Sequence, residues 1–338
     1  MTLPANNLSL NQVNTELGRT ATAQINLNDS AVRTLAGVGG SSTTFGMNSL
    51  LSKTHTFTAS FSGGVNINLR TTAVNLGWDQ VAVLNITNNG TISSASTGSF
   101  ACFIGDGGFG RGCTFTNNAW IVGRGGDGGY GSANTPVDRA PATAYGQHGG
   151  GGGSSGHALG VAQPVTVVNN SAIFSGGGGA GGGGTGKSSW LDGYGNLAWG
   201  SSASGGGGGA GRGGGNGGGT GHNISNNLPS NYHGYGAAGG GGSDISNPGG
   251  GGNHAATAYA DIYGVVHGSV GGHGGTGGGA GSSGAGGGGG YVVGRHVSEN
   301  LSSYGGGGGG PGFGVYATSA GLISWGGYGT VHGPVHNV

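Results

Sequence analysis

The sequence predicts a mostly irregular and β fold: a small helical N-terminal segment, a β-rich middle, and a C-terminal bundle of polyglycine-II helices with connecting loops. Three observations carry this expectation. Glycine fills 94 of 338 positions and gathers into tracts at 123–131, 149–153, 176–186, 205–221, 234–242, 249–252, 271–290, 305–314 and 326–329. Charged residues make up only 6% of the chain and the net charge is zero, against 5 Trp, 11 Tyr and 9 Phe. Disordered chains are charge-rich and aromatic-poor, so something here is packed. Finally, helix punctuation is confined to residues 1–52, and 53–122 reads as alternating strands.

The N-terminal segment, 1–52, supplies two short helices. Ser9 is placed to cap one in which Leu10, Val13 and Leu17 share a face, with Gly18 past its end. Asn28 is placed to cap a second carrying Val32 and Leu35, stopped by Gly37. Both are too short to stand alone. They serve either as a cap on the next domain or as a docking segment for a larger assembly.

In the second region, 53–122, THTFTASF, NINLRTTAV, QVAVLNIT and GSFACFIG read as strands. Turns fall at 62–64, at Asn88-Asn89-Gly90 and at Asp106-Gly107, residues that accept positive φ. An Asn-Asn-x-x-Ile pattern recurs in NITNNGTISS (85–94), TFTNNAWIVG (114–123) and TVVNNSAIFS (166–175). Each copy reads as a β-hairpin turning at the asparagines, and the intervals are too irregular for a simple solenoid.

The third region, 123–338, alternates glycine tracts with decorated segments that hold most aromatic, proline and charged residues of this half. As isolated linkers the tracts would cost heavily in entropy and leave the aromatics without a core. Polyglycine-II helices offer an alternative. Without Cβ atoms, neighbouring extended helices approach until their backbone N–H and C=O groups bond across chains. A nine-residue tract would then span about 28 Å. Gly205–Gly221 would lie in the middle of such a core, and its irregular Ala210, Arg212, Asn216 and Thr220 spacing rules out collagen.

Several chemistries are excluded. Ten basic and ten acidic residues leave no basic stripe for nucleic acid. No run of about 20 apolar residues offers a membrane span, and the N-terminus shows no signal peptide. Synthesis in a cytoplasm without Sec export is expected. Gly181 to Gly186-Lys187-Ser188 matches a phosphate loop by letter but no helix pattern follows it. Glu16 and Glu299 are the only glutamates, and Asp138, Asp192, Asp244 and Asp261 are scattered, so no carboxylate pair or catalytic triad stands out. The chain is expected to be no enzyme, with no cofactor and no metal. Cys102 and Cys113 flank the Asp106-Gly107 turn; a disulfide is open to them, but two buried thiols are expected.

Tracts alternating with variable, aromatic-bearing segments resemble the tip adhesins of T-even-like phage long tail fibres, over about 123–338. Residues 12–18 and 31–37 are also similar to the start of many phage tail proteins, over about 9–53. The first resemblance implies glycine-rich motifs in a polyglycine-II stack and distal loops that bind the host surface. Its domains would be a virion-docking segment (1–52), a small β domain (53–122) and a glycine-rich domain with receptor-facing loops (123–338). The partners would be a bacterial outer-surface protein or glycan, other tail or fibre proteins bound through 1–52, and two further copies if the chain trimerises. The location would be the virion, at a tail or tail-fibre tip.

If the tracts alternate in direction, segments 132–148, 187–204 and 291–304 lie distally. The candidate receptor contacts are then Tyr145, Trp190, Tyr194, Trp199, Tyr291, Arg295 and Tyr304. Tyr and Trp among Ser, Gly and Asn is the composition of binding loops. The same aromatics could instead seal the ends of the glycine core. Two other functions fit the composition less well: a structural tail component without host binding, and an ice-binding polyglycine-II protein.

Overall fold

The computed structural model describes residues 2–38, 44–131, 145–147, 149–183, 185–191, 197–202, 256–260, 266–270, 274–287, 291–293 and 305–337. Two helices open the chain, α1 (Leu10–Glu16) and α2 (Ser30–Ala36). Ser9 caps α1 in a reciprocal box with Gln12, and Gly18 and Gly37 take positive φ at the two helix ends. The cap of α2 is Asp29, not Asn28, and its side chain makes no cap bond. Val13, Leu17, Val32, Leu35 and Leu50 close a small apolar cluster over these helices.

From Thr56 the chain winds as a three-sided parallel β-solenoid of five coils. The first coil holds β1 (Thr56–Phe61), β2 (Gly64–Val65) and β3 (Ile67–Asn68), followed by α3 (Leu69–Asn75). The second holds β4 (Val83–Asn88), β5 (Ile92–Ser93) and β6 (Phe100–Ile104). The third holds β7 (Cys113–Asn117), β8 (Ile121–Val122) and, after an excursion carrying β9 (Tyr145–Gln147), β10 (His157–Val161). The fourth holds β11 (Val165–Asn169) and β12 (Ala172–Phe174), then a long excursion, then β18 (Val315–Ala317). That excursion carries β13 (Thr185–Leu191), β14 (Leu197–Ser202), β15 (Ala256–Ala260), β16 (Val266–Val270) and β17 (Tyr291–Val293). The fifth holds β19 (Ile323–Gly327), β20 (Thr330–His332) and β21 (Val335–Asn337).

Like strands of successive coils pair in parallel, giving the sheets β1-β4-β7-β11-β19, β2-β5-β8-β12-β20 and β21-β18-β10-β6-β3. Register stacks one apolar column inside each face. Ile86, Phe115, Val167 and Trp325 line up on the first face. Ile92, Ile121, Ile173 and Val331 do so on the second, and Ile67, Cys102, Leu159, Val315 and Val335 on the third. The middle members are fully buried and form the side-chain core.

This architecture overturns the expected C-terminal bundle of polyglycine-II helices. Residues 157–174 and 315–337 are strands of the same three sheets that begin at Thr56. Their Val, Ile and Leu alternate, so they bury in a side-chain core as period-2 strands do. Among the described residues the only α-helices are α1, α2 and α3.

The hairpin reading is overturned as well. The strands on either side of each Asn-Asn turn lie in different sheets, and the three copies stack as successive coils. Inside the corner, Asn88 donates to Asn117 (2.8 Å) and Asn117 to Asn169 (2.9 Å), all buried. Outside it, Asn118 donates to Asn89 (3.0 Å) and Asn170 to Asn118 (2.9 Å). The irregular intervals come from excursions inserted between the second and third faces of two coils. Residues 66–74, read as a strand, are instead β3 followed by α3. The Asn68 side chain accepts from Thr71 N–H (3.1 Å), and Leu69 and Ala73 are buried.

The N-terminal helices are fastened to the solenoid through Glu16, which is only 1% exposed. Its carboxylate pairs with Arg111 (2.9 Å) and accepts from His55 N–H (2.7 Å). Arg111 also donates to the carbonyls of Thr15 and Glu16, both at 2.6 Å.

Candidate functional site

Both excursions leave and return at one corner, between the second and third faces. The ladder of the second face runs on into the glycines: Gly123 donates to Phe174, Gly126 to Gly177 and Gly129 to Ala180, at 2.7–2.9 Å. These bonds recur every third residue. Arg124, Asp127 and Tyr130 lie on the outer side at the same spacing, with buried glycines between them.

Tract 176–183 is buried throughout and is bonded by five others. Gly179 donates to Gly153 (2.9 Å), Gly178 to Ser282 (2.9 Å) and Gly181 to Ala285 (2.9 Å). Gly309 donates to Gly179 (2.7 Å) and Gly275 to Gly181 (3.0 Å). A Cβ at Gly179 would collide with the Asp127 carbonyl, and one at Gly309 with the Gly153 carbonyl. This part of the molecule is held by backbone against backbone. Ser155, almost fully buried, staples three tracts: its hydroxyl donates to the Gly176 carbonyl (2.6 Å) and accepts from Gly312 N–H.

The described tracts alternate in direction. Tracts 123–130, 176–183 and 282–287 lead away from the corner, and 149–156, 274–279 and 305–312 lead back. The reversal at Gly279–Ser282 sits at the near end, where Gly281 donates to Ser175 (3.2 Å). Strands β9, β13, β16 and β17 therefore attach at the far end. They form two three-stranded antiparallel sheets, β14-β13-β9 and β15-β16-β17, with β13 lying against β16 and β17.

Four of the seven candidate contacts lie on these strands. Tyr145 pairs opposite Lys187, Trp190 opposite Ala198, Trp199 opposite Ser189, and Tyr291 opposite Val270. Ser189 and Trp190 are consecutive, so the Trp190 and Trp199 positions belong to opposite faces of their sheet. Tyr194, Arg295 and Tyr304 lie outside the described residues, as does Gly205–Gly221. Gly186-Lys187-Ser188 lies within strand β13, which is no phosphate-binding turn into a helix. Sequence reasoning missed Tyr130, 72% exposed at the far end of the first tract. Its signal was the spacing Arg124-x-x-Asp127-x-x-Tyr130.

At the near end, His157 opens β10 and accepts on Nδ1 from Phe313 N–H (2.9 Å). Its ring packs against Phe100, Phe313 and Tyr316, and burial pushes its pKa below the ordinary histidine value. In the solenoid core, burial pushes the Cys102 and Cys113 thiols up to about 12, with each other's proximity adding to Cys102. Both are free.

A solenoid that launches glycine tracts and carries Tyr- and Trp-bearing sheets at their far end is built to display those sheets. A family model described as phage tail fibre adhesin Gp38 matches residues 52–261. The chain belongs to that family, which makes it a tail-fibre adhesin and a virion tail component. The match takes in the β segment 53–122, which the resemblance read from the sequence had left out. No curated protein and no solved structure matches the chain.

Proposed function

We propose that this adhesin binds a bacterial outer-surface protein or glycan through the segments at the far end of its glycine tracts. The observation that carries the reading is connectivity: β9, β13, β16 and β17 all hang from the end remote from the solenoid. Tyr145, Trp190 and Tyr291 belong to those strands, Trp199 lies on β14 paired with β13, and Tyr194, Arg295 and Tyr304 fall in the same segments. Tyr130 joins them at the tract end. Residues 1–52 dock to another fibre or tail protein, and the chain works by binding, without catalysis, cofactor or metal.

The test is to exchange segment 187–204 for that of a relative and measure adsorption across host strains. A changed host range is expected. An unchanged one removes the receptor role from this segment and leaves it as structure.

A further inference from the structure

Two tracts return to the solenoid side by side, 149–156 into β10 and 305–312 toward β18. Ala158 donates to Phe313 (2.9 Å) and Leu159 to Gly314 (3.1 Å), which seats the second return on the first. His157 adds a side-chain bond at the same seat by accepting the Phe313 N–H (2.9 Å). Only an unprotonated Nδ1 can accept, because both nitrogens of an imidazolium donate.

We propose that His157 is an acid-released clasp: neutral, it holds the returning tract 305–312 on the solenoid; protonated, it lets go, and the glycine tracts lose one fixed seat. The surroundings favour the neutral form. Phe100 from β6, Phe313, and Tyr316 from β18 pack on the ring, with centroids 5.3, 5.3 and 6.4 Å away. His336 from β21 lies behind them, stacked on Tyr316 at 4.8 Å and edge-on to Phe313. Tyr316 and His336 are the titratable groups facing this cluster. Among the described residues no carboxylate, Lys or Arg is paired with His157.

Burial lowers the His157 pKa in the folded protein. The contribution is therefore complete above the unfolded value of about 6.5 and is lost as pH falls from there through the folded value. This goes beyond receptor binding, and its readout involves no host cell.

The experiment is amide hydrogen exchange at Phe313 in the full chain at pH 7.5 and 5.0, comparing wild type with His157→Asn. The Asn carboxamide can accept the same bond but does not titrate. At pH 7.5 the two are expected to match. At pH 5.0 wild type should lose about tenfold in protection relative to the variant. Equal protection at both values overturns the proposal. Should the variant fail to fold, nitrogen NMR of the wild-type imidazole replaces it. The His157 midpoint should lie below 6.5 and coincide with loss of Phe313 protection, and a Phe313 amide that stays protected through that midpoint overturns the clasp. His336→Phe should keep the acid effect; its disappearance there would assign the titration to His336 and overturn the proposal.

Discussion

Replacing Gly179 by alanine places a methyl group where three other tracts already meet. The methyl strikes the Asp127 carbonyl, while Gly179 N–H is bonded to Gly153 (2.9 Å) and its own carbonyl to Gly309 (2.7 Å). All these neighbours are backbone, so no rotamer change relieves the collision. Tract 123–130 must move off, giving up the bonds from Gly126 to Gly177 and Gly129 to Ala180 (2.9 and 2.7 Å). At about 1 kcal/mol per bond, plus about 1–3 kcal/mol for the strain of an overpacked interior, the loss is about 3–5 kcal/mol. The control is Gly307→Ala, whose Cβ would meet no atom within 4 Å. That substitution should be neutral or stabilise by about 0.4–1 kcal/mol through the unfolded chain. Thermal unfolding of the two variants beside wild type is the assay. Gly179→Ala should lower Tm by roughly 4–7 °C, and Gly307→Ala should not. Equal Tm values would refute the idea that these tracts are held by direct backbone contact.

Four further outcomes are expected. Asn117→Ala leaves the Asn88 amide donor and the Asn169 carboxamide oxygen buried without partners; urea unfolding should show a loss of about 2–4 kcal/mol. Asn118→Ala in the exposed outer ladder should cost under about 1 kcal/mol in the same assay. Arg111→Ala removes the cation paired with the buried Glu16 carboxylate, at about 3–5 kcal/mol for the docking of the N-terminal helices, and limited proteolysis should release residues 1–52 faster. Cys102 and Cys113 should resist maleimide at pH 8 in the folded protein and label fully in urea; rapid native labelling would contradict their burial.

Local rules were legible wherever one residue decides one piece of geometry. Ser9 wrote the start of α1, Gly18 and Gly37 wrote two helix ends, and Asp106-Gly107 took the positive φ its turn needs. Residues 66–74 failed because Ile67, Leu69, Thr71 and Ala73 alternate as in a strand, while the Asn68 cap and burial of Leu69 and Ala73 against the sheet selected helix. The solenoid was hidden for a different reason. Its first strands begin at 56, 83, 113, 165 and 323, and only the first two intervals are near a constant period. The Asn-Asn copies showed that corners repeat, but an asparagine turn looks alike in a hairpin and in a corner. What distinguishes them is the ladder from one coil to the next, which pairs residues far apart in sequence. The placement of Tyr145, Trp190, Trp199 and Tyr291 could be guessed only through tract direction, which the bonds between tracts set and no single tract encodes.

Those bonds also account for how so much glycine is ordered at all. A lone glycine tract loses more entropy on ordering than any other sequence, so the first residues of a stack are the costly ones. Here they are supplied. Strands β8 and β12 enter the corner already paired, Ile121 opposite Ile173 and Val122 opposite Phe174. The next bond, Gly123 to Phe174, and those from Gly126 and Gly129 continue the ladder without interruption. The solenoid thus fixes the spacing and register of two tracts before any glycine has to be ordered on its own, and each later tract adds to a template. The side-chain core and the backbone-bonded tracts are consecutive parts of one ladder. Changes in the far segments need preserve only the glycines that carry them, so the far end can vary in sequence while its mount stays fixed.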